Sequence, residues 1–458
     1  MDIINLPLLW IVLAFSFGIP VIFMMGLRYL AYRLGGRPEA APIPVRGGQA
    51  RPLAGFVIPA PRFASWRQAI RTLLLVSMLG VLTGIVLIRF VDGLGAVTNL
   101  SNQFPWGIWI SFDVMSGVAL AAGGFVIAAT AHIFGLKRFE PLVRPAILTA
   151  FLGYLLVIGG LLLDLGRPYN VWRPLVHWQP HSPLWEVGVC VATYTTVLFI
   201  EFLPTLLERL NQFTVITQKL PTKPLYRLLK KVSLVFIVLG VVLSTLHQSS
   251  LGSMWVLMPE KLSPIWYSLY LPVFFWLSAV AVGLAMTIVE SVLSAKAFKR
   301  GLEINLLADL AKAASVILVI YLAAKGTDLV ARGAWPLLFE PNLQAAAFWV
   351  EIGLGVIGPA IIFSVKPLRR KPAILLATAL MVVIFGVVLN RLNVNWLGVL
   401  PYVGYSYFPS WMEIMVSISL ASLGVIAFGL AARYLPIFPE EGNPHGISTA
   451  GAQHHGRS

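Results

Sequence analysis

The chain has 458 residues, 58% of them hydrophobic and 12% charged, with a formal net charge of +15. A soluble protein of this length needs far more charge to coat its surface, and continuous apolar runs of about 20 residues exclude a transmembrane β-barrel, whose strands alternate. The basic residues fall in short clusters between those runs, the pattern of the positive-inside rule, so the charge does not point to nucleic acid.

The fold class is therefore an all-α polytopic membrane protein with about 10–11 transmembrane helices. Spans are predicted at 7–30, 70–91, 107–135, 143–164, 185–207, 231–248, 264–294, 305–331, 343–365, 372–390 and 411–434. The first lacks a basic n-region and an A-x-A site, so it reads as an anchor and not as a removed signal peptide. This gives an N-terminal anchor over 1–31, a Pro/Gly/Arg-rich linker over 32–69, a helical core over 70–436 and a disordered tail over 437–458.

One set of loops holds 27 of the 34 Lys and Arg residues. That side is assigned to the cytoplasm, with the N-terminus outside and the C-terminus inside, in a bacterial cytoplasmic (inner) membrane. The opposite loops, PYNVWRPLVHWQPHSPLW (168–185) and NWLGVLPYVGYSYFPSW (395–411), are dense in aromatics. They fit an interfacial belt, and also a cap over a pocket or a seat for a partner subunit.

Polar residues interrupt the spans. Asp113, Asp164, Glu186, His247, Glu351, Asn390, Arg391 and Glu413 all lie near the outer ends of their spans. Such groups face the bundle interior and pair; any one alone could be a structural hydrogen-bonder, but a common depth on many spans favours a site. His132, Glu201 and Glu290 form a smaller set toward the basic loops. They either snorkel or pair with Lys and Arg there, or mark the inner end of a proton path.

The single cysteine, Cys190, excludes a disulfide or an iron–sulfur cluster within this chain. Of the seven histidines, only His132 and His247 lie in or beside core spans, near opposite faces, so no transmembrane haem pair and no metal set is expected. A layer of carboxylates, one His and many Trp and Tyr next to lipid suits a quinone. Aromatics stack on its ring, and Asp, Glu and His exchange its protons.

The stretches FPWGIWISFDVMSGVALAAGG (104–124), LLLDLGRPYNVWRPL (161–175), SPLWEVGVCVATY (182–194), LHQSSLGSM (246–254) and YSYFPSWMEIMVSI (405–418) resemble the NrfD/polysulfide-reductase family of membrane subunits. Within it they are most similar to the HybB-type subunit of [NiFe]-hydrogenases. The resemblance implies a quinone-reactive subunit (menaquinone or ubiquinone) without cofactors of its own. It implies a ferredoxin-like iron–sulfur partner linked to a catalytic subunit: a hydrogenase, a molybdopterin enzyme or a multihaem cytochrome. It carries Asp113, Asp164, Arg167, Glu186 and His247 as pocket or proton-exchange residues, with Trp106, Trp109, Glu351 and Glu413 beside them. Asp113, Glu186 and His247 are expected to exchange ring protons. Arg167 is expected to pair with Asp164 or to serve docking. The rival expectation is a redox-inactive secondary transporter, which buried acids also suit; its midplane site and inverted repeat are not evident. A third is a proton-translocating form using Glu201 and Glu290.

Overall fold

The computed structural model describes residues 66–212, 221–404 and 406–438. The expected anchor over 7–30, most of the linker and nearly all of the tail lie outside the described residues. Among those described, ten helices are long and apolar enough to cross a membrane, and they match the ten remaining predicted spans. They are α1 (Trp66–Val91), α2 (Trp109–Ile133), α3 (Glu140–Asp164), α4 (Pro183–Leu210) and α5 (Thr222–Val256). α6 (Leu271–Phe298), α7 (Ile304–Ala331), α8 (Leu343–Ser364), α9 (Pro372–Val403) and α10 (Trp411–Tyr434) complete the set.

The helices pack as two four-membered groups. In the first, α2, α3, α4 and α5 close a ring; in the second, α6, α7, α8 and α9 do so. α2 and α6 join the groups at a point with no room for side chains. A Cβ on Gly283 of α6 would stand 2.9 Å from the Gly123 nitrogen of α2. Lipid offers helices no hydrophobic drive to associate, so close backbone approach through small residues supplies the contact. α10 lies on α3, and α1 lies on α10 at the margin. α1 is exposed at Leu73, Leu74 and Val76, and α5 at Leu234 and Val235, as lipid-facing surfaces are.

Two helices run further than their apolar stretches suggest. α5 continues past LHQSS to Val256, and α9 continues past Asn390 to Val403. Polar residues there turn into the bundle and find partners, so they do not end the helix. Several spans also contain π-helical segments: Trp109–Ser116 in α2, Gly353–Ile357 in α8, and Val382–Val388 and Asn393–Leu397 in α9. Such wider turns re-aim side chains and concentrate at functional sites.

The loops 92–108, 165–182 and 406–410 share one end of the molecule, here the aromatic end. The opposite, basic end carries Lys137, Arg138, Lys296, Lys299, Lys366, Arg369 and Arg370.

Candidate functional site

Three buried polar clusters occupy the half of the molecule nearer the aromatic end. The first lies between α1, α2, α3 and α10. Asp113, in the π-helical first half of α2, accepts a hydrogen bond from the Ser417 hydroxyl of α10 at 2.6 Å. Its neighbour on α3 is Gly160, where an added Cβ would stand 2.9 Å from the Asp113 Cβ. One turn on, Asp164 closes α3 with a buried Oδ1 that has no hydrogen-bond partner. The cation whose charge reaches Asp164 is Arg89 of α1, held by the Leu163 carbonyl at 2.6 Å and the Leu165 carbonyl at 2.5 Å. Arg167 instead stands exposed, and no ion pair among the described residues joins it to Asp164.

Glu413 belongs to the same neighbourhood but has a structural task. It forms a capping box with Ser410 at the start of α10. Its carboxylate also accepts from the Tyr407 hydroxyl at 2.5 Å and the Asn99 amide at 3.0 Å. Trp109, 1% exposed, donates its indole N–H to the Glu413 carbonyl at 3.0 Å. Burial, with the Glu413 carboxylate beside it, pushes the Tyr407 phenol well above its ordinary value, so it stays a protonated donor.

The second cluster lies deeper, between α3, α4 and α5. His247 is fully buried, and its Nδ1 lies 2.8 Å from the Tyr154 hydroxyl. Tyr154 meets Tyr194 edge to face at a centroid separation of 4.6 Å. The His247 Nε2 has no protein partner, nor does the buried Gln248 Oε1 next to it. Two turns nearer the aromatic end of α5, Trp255 is buried with a free indole N–H and meets Trp106 edge-on at 5.4 Å. A buried polar atom without a partner is costly, so the free atoms on His247, Gln248 and Trp255 are open to a water or a ligand group.

The third cluster lies in the second helix group around Glu351, which has no exposed surface. Its carboxylate accepts from Lys325 Nζ at 2.8 Å, Asn390 at 2.8 Å, Trp266 at 3.0 Å and Asn393 at 2.8 Å. Arg391 completes the network through Asn390 Oδ1 at 2.6 Å and the Ser278 hydroxyl at 2.9 Å.

The structure thus brings Asp113, Asp164, Trp109 and Glu413 together, places His247 one layer deeper, and puts Glu351 in a separate network. Glu186 is half-buried in the first turn of α4, its carboxylate without a hydrogen-bond or ion-pair partner among the described residues. Toward the basic end, Glu290 accepts from the Thr149 hydroxyl at 2.5 Å and lines a cavity of about 60 Å³ with Ser291 and Ser294. Glu201 lies half-buried against Gly240, and His132 is exposed.

Sequence reading missed Arg89, Tyr154, Tyr194, Tyr407 and the Lys325 partner of Glu351. The signal for Lys325 was available: it stands six residues before the end of α7, at a depth close to that of Glu351. Tyrosines in apolar runs carry no such mark.

A polytopic helical membrane protein with buried carboxyl, imidazole and indole groups near one face is the class that fold and site define. The chain belongs to the NrfD family: the model described as polysulphide reductase, NrfD, matches residues 96–400. A protein of Nitratidesulfovibrio vulgaris is 39% identical over 79% of this chain and 94% of its own length. The probable Ni/Fe-hydrogenase 2 b-type cytochrome subunit of Escherichia coli K12 is 33% identical over 85% of this chain and 95% of its own. The menaquinone reductase integral membrane subunit of N. vulgaris is 32% identical over 76% and 87%. The chain is accordingly a multi-pass membrane protein, and the bacterial inner membrane expected for it agrees with these relatives.

The b-type cytochrome in one relative's name raises the question of haem. Among the described residues His247 is the only buried histidine, whereas His132, His177 and His181 are exposed. A haem iron would find one buried imidazole in these helices, and that one already holds Tyr154. No group of three or more His, Cys, Asp or Glu among the described residues is arranged to hold a metal ion.

Proposed function

We propose that this chain is the quinone-exchanging membrane subunit of an oxidoreductase complex. The observation that carries the reading is the His247 imidazole: fully buried, fixed at Nδ1 by Tyr154, and free at Nε2. A quinone fits the groups available. Its ring oxygens need donors when oxidised and proton acceptors when reduced, and His247 Nε2 and the Trp255 indole can meet them. Trp106, which meets Trp255, offers aromatic surface, and the apolar walls of α3 and α5 suit an isoprenoid tail. Quinone supplies the carriage of two electrons and two protons. The chain's own residues hold it and move the protons: His247 at the ring, and Asp113 and Asp164 toward the aromatic end. Two neighbouring carboxyls, with the Arg89 guanidinium beside Asp164, can store and pass protons. Glu186 offers a further acceptor at the start of α4. The name of the menaquinone reductase relative supports this class of substrate.

Electrons arrive from, or leave to, a ferredoxin-like iron–sulfur subunit docked at the aromatic end, which in turn serves a hydrogenase, molybdopterin or multihaem catalytic subunit. Exposed Trp172, Val176 and Trp178 between α3 and α4, with Arg167 and Arg173 among them, support that seat. The basic end faces the cytoplasm by the positive-inside rule.

Purification of the native complex tests this reading. Iron–sulfur absorbance together with extractable menaquinone or ubiquinone is the expected result. A chain that purifies alone and moves a solute across liposomes would replace it with the transporter reading.

A second reading, proton uptake from the basic end, is favoured by the cavity of about 60 Å³ beside Glu290, which has room for water. Glu290→Gln is expected to lower proton uptake per electron in proteoliposomes while leaving quinone turnover in place. An unchanged ratio would leave Glu290 a structural partner of Thr149.

A further inference from the structure

The two helix groups are tied together by two asparagines of one π-helical turn. In Asn393–Leu397 of α9, the Asn393 amide donates back into the second group, to Glu351 at 2.8 Å. The Asn395 amide donates across to the first, to the Trp106 carbonyl at 2.9 Å and the Ser111 hydroxyl at 2.5 Å, with the Gly107 carbonyl within reach at 3.3 Å. Residues two apart on a helix point to opposite sides, which is how one turn serves both groups. Both asparagines are buried, Asn393 with 0% and Asn395 with 1% exposure.

The segment that Asn395 holds is the entry of α2, which carries Trp106 and Trp109 and leads to Asp113. Its other anchor is Tyr407, whose hydroxyl accepts the Ile108 amide at 3.0 Å. That hydroxyl lies so close to Gly107 that no side chain could stand there. The far end of the strap is as firm. Glu351 has four donors, one of them the Lys325 ammonium, and removal of either ion would leave the other buried and unpaired.

We propose that Asn393 and Asn395 are positioning residues for the quinone site, fixing the α2 entry, and with it Trp106 and Asp113, against the Lys325–Glu351 pair of the second helix group. The proposal rests on the quinone reading above. A 1 Å displacement of a binding group is enough to be felt in turnover. The ion pair and the quinone pocket are therefore linked, although no residue belongs to both.

The test uses the whole purified complex and two readouts. Asn395→Ala is expected to speed amide hydrogen exchange over residues 104–112 while leaving residues 150–160 of α3 as they were. It is also expected to raise the KM for a water-soluble menaquinol analogue about tenfold, with kcat changed much less. The paired Lys325→Met/Glu351→Gln variant, which removes both charges at once, should act in the same direction. Combined with Asn395→Ala it should add little, as coupled sites do. If the paired variant does not accumulate, Asn393→Ala, which keeps the ion pair, takes its place.

Unchanged exchange over 104–112 in Asn395→Ala would overturn the positioning role. Faster exchange with an unchanged KM would also overturn it, because the segment held would then not be one the quinone touches. A wild-type complex that turns over no quinone would instead contradict the functional reading, and the exchange readout would still decide whether the strap holds α2.

Discussion

At the residue scale, the buried charges divide into those fully satisfied and those left with free atoms. Glu351 and Glu413 belong to the first kind, and their replacement is a matter of stability. Lys325→Met alone strands the Glu351 carboxylate and is expected to cost about 3–5 kcal/mol, whereas Lys325→Met/Glu351→Gln together costs less. Tyr407→Phe removes the donor to Glu413 and the acceptor of the Ile108 amide. It is expected to cost about 1–3 kcal/mol. Thermal unfolding of the purified protein in one detergent measures all three. Asp113, Asp164 and His247 were legible in the sequence because charge in an apolar run is conspicuous. Their partners were not. Arg89 looks like an ordinary helix-end cation. Tyr154 and Tyr194 look like lipid-facing or core aromatics until α3, α4 and α5 are brought together. Glu413 reads as a pocket residue from its depth, and Ser-Trp-Met-Glu at 410–413 is also the spacing of a capping box, which it forms.

At the scale of elements, apolar runs located all ten of the described spans, seven of them with both ends within a few residues, since about 20 apolar residues have few alternatives in a membrane. The lengths of α5 and α9 were misread where polar residues turn inward, and π-helical turns have no composition of their own to betray them. One of those turns places Gly355 of α8 so close to the Gly386 nitrogen of α9 that a Cβ has no room there. Gly355→Val is therefore expected to separate α8 from α9 and to abolish the monodisperse folded protein in detergent size exclusion. Gly80→Val, on α1 with open space around its Cβ position, should leave the elution profile intact.

At the scale of the molecule, the predicted single polar layer resolves into three clusters divided between two helix groups. A sequence assigns depth along a helix but not which side of it faces which neighbour, so residues at one depth merged into one site. The charge bias between the ends predicts orientation directly. A fluorescent protein fused after residue 438 should fold and fluoresce, and alkaline phosphatase fused there should be inactive. The reverse pattern would invert the topology and move the aromatic end, with its seat for an iron–sulfur subunit, to the cytoplasm.

The central claim is that His247 and Asp113 exchange the protons of a membrane quinone. It is tested most directly by comparing quinone-linked and dye-linked turnover in complexes carrying His247→Ala or Asp113→Asn. Loss of a proton-transfer group is expected to lower quinone-linked turnover at least about 100-fold. The catalytic partner should still reduce or oxidise the dye at the wild-type rate in a fully assembled complex. Quinone-linked turnover within about twofold of wild type in both variants would contradict the account, because proton-transfer groups contribute far more than that.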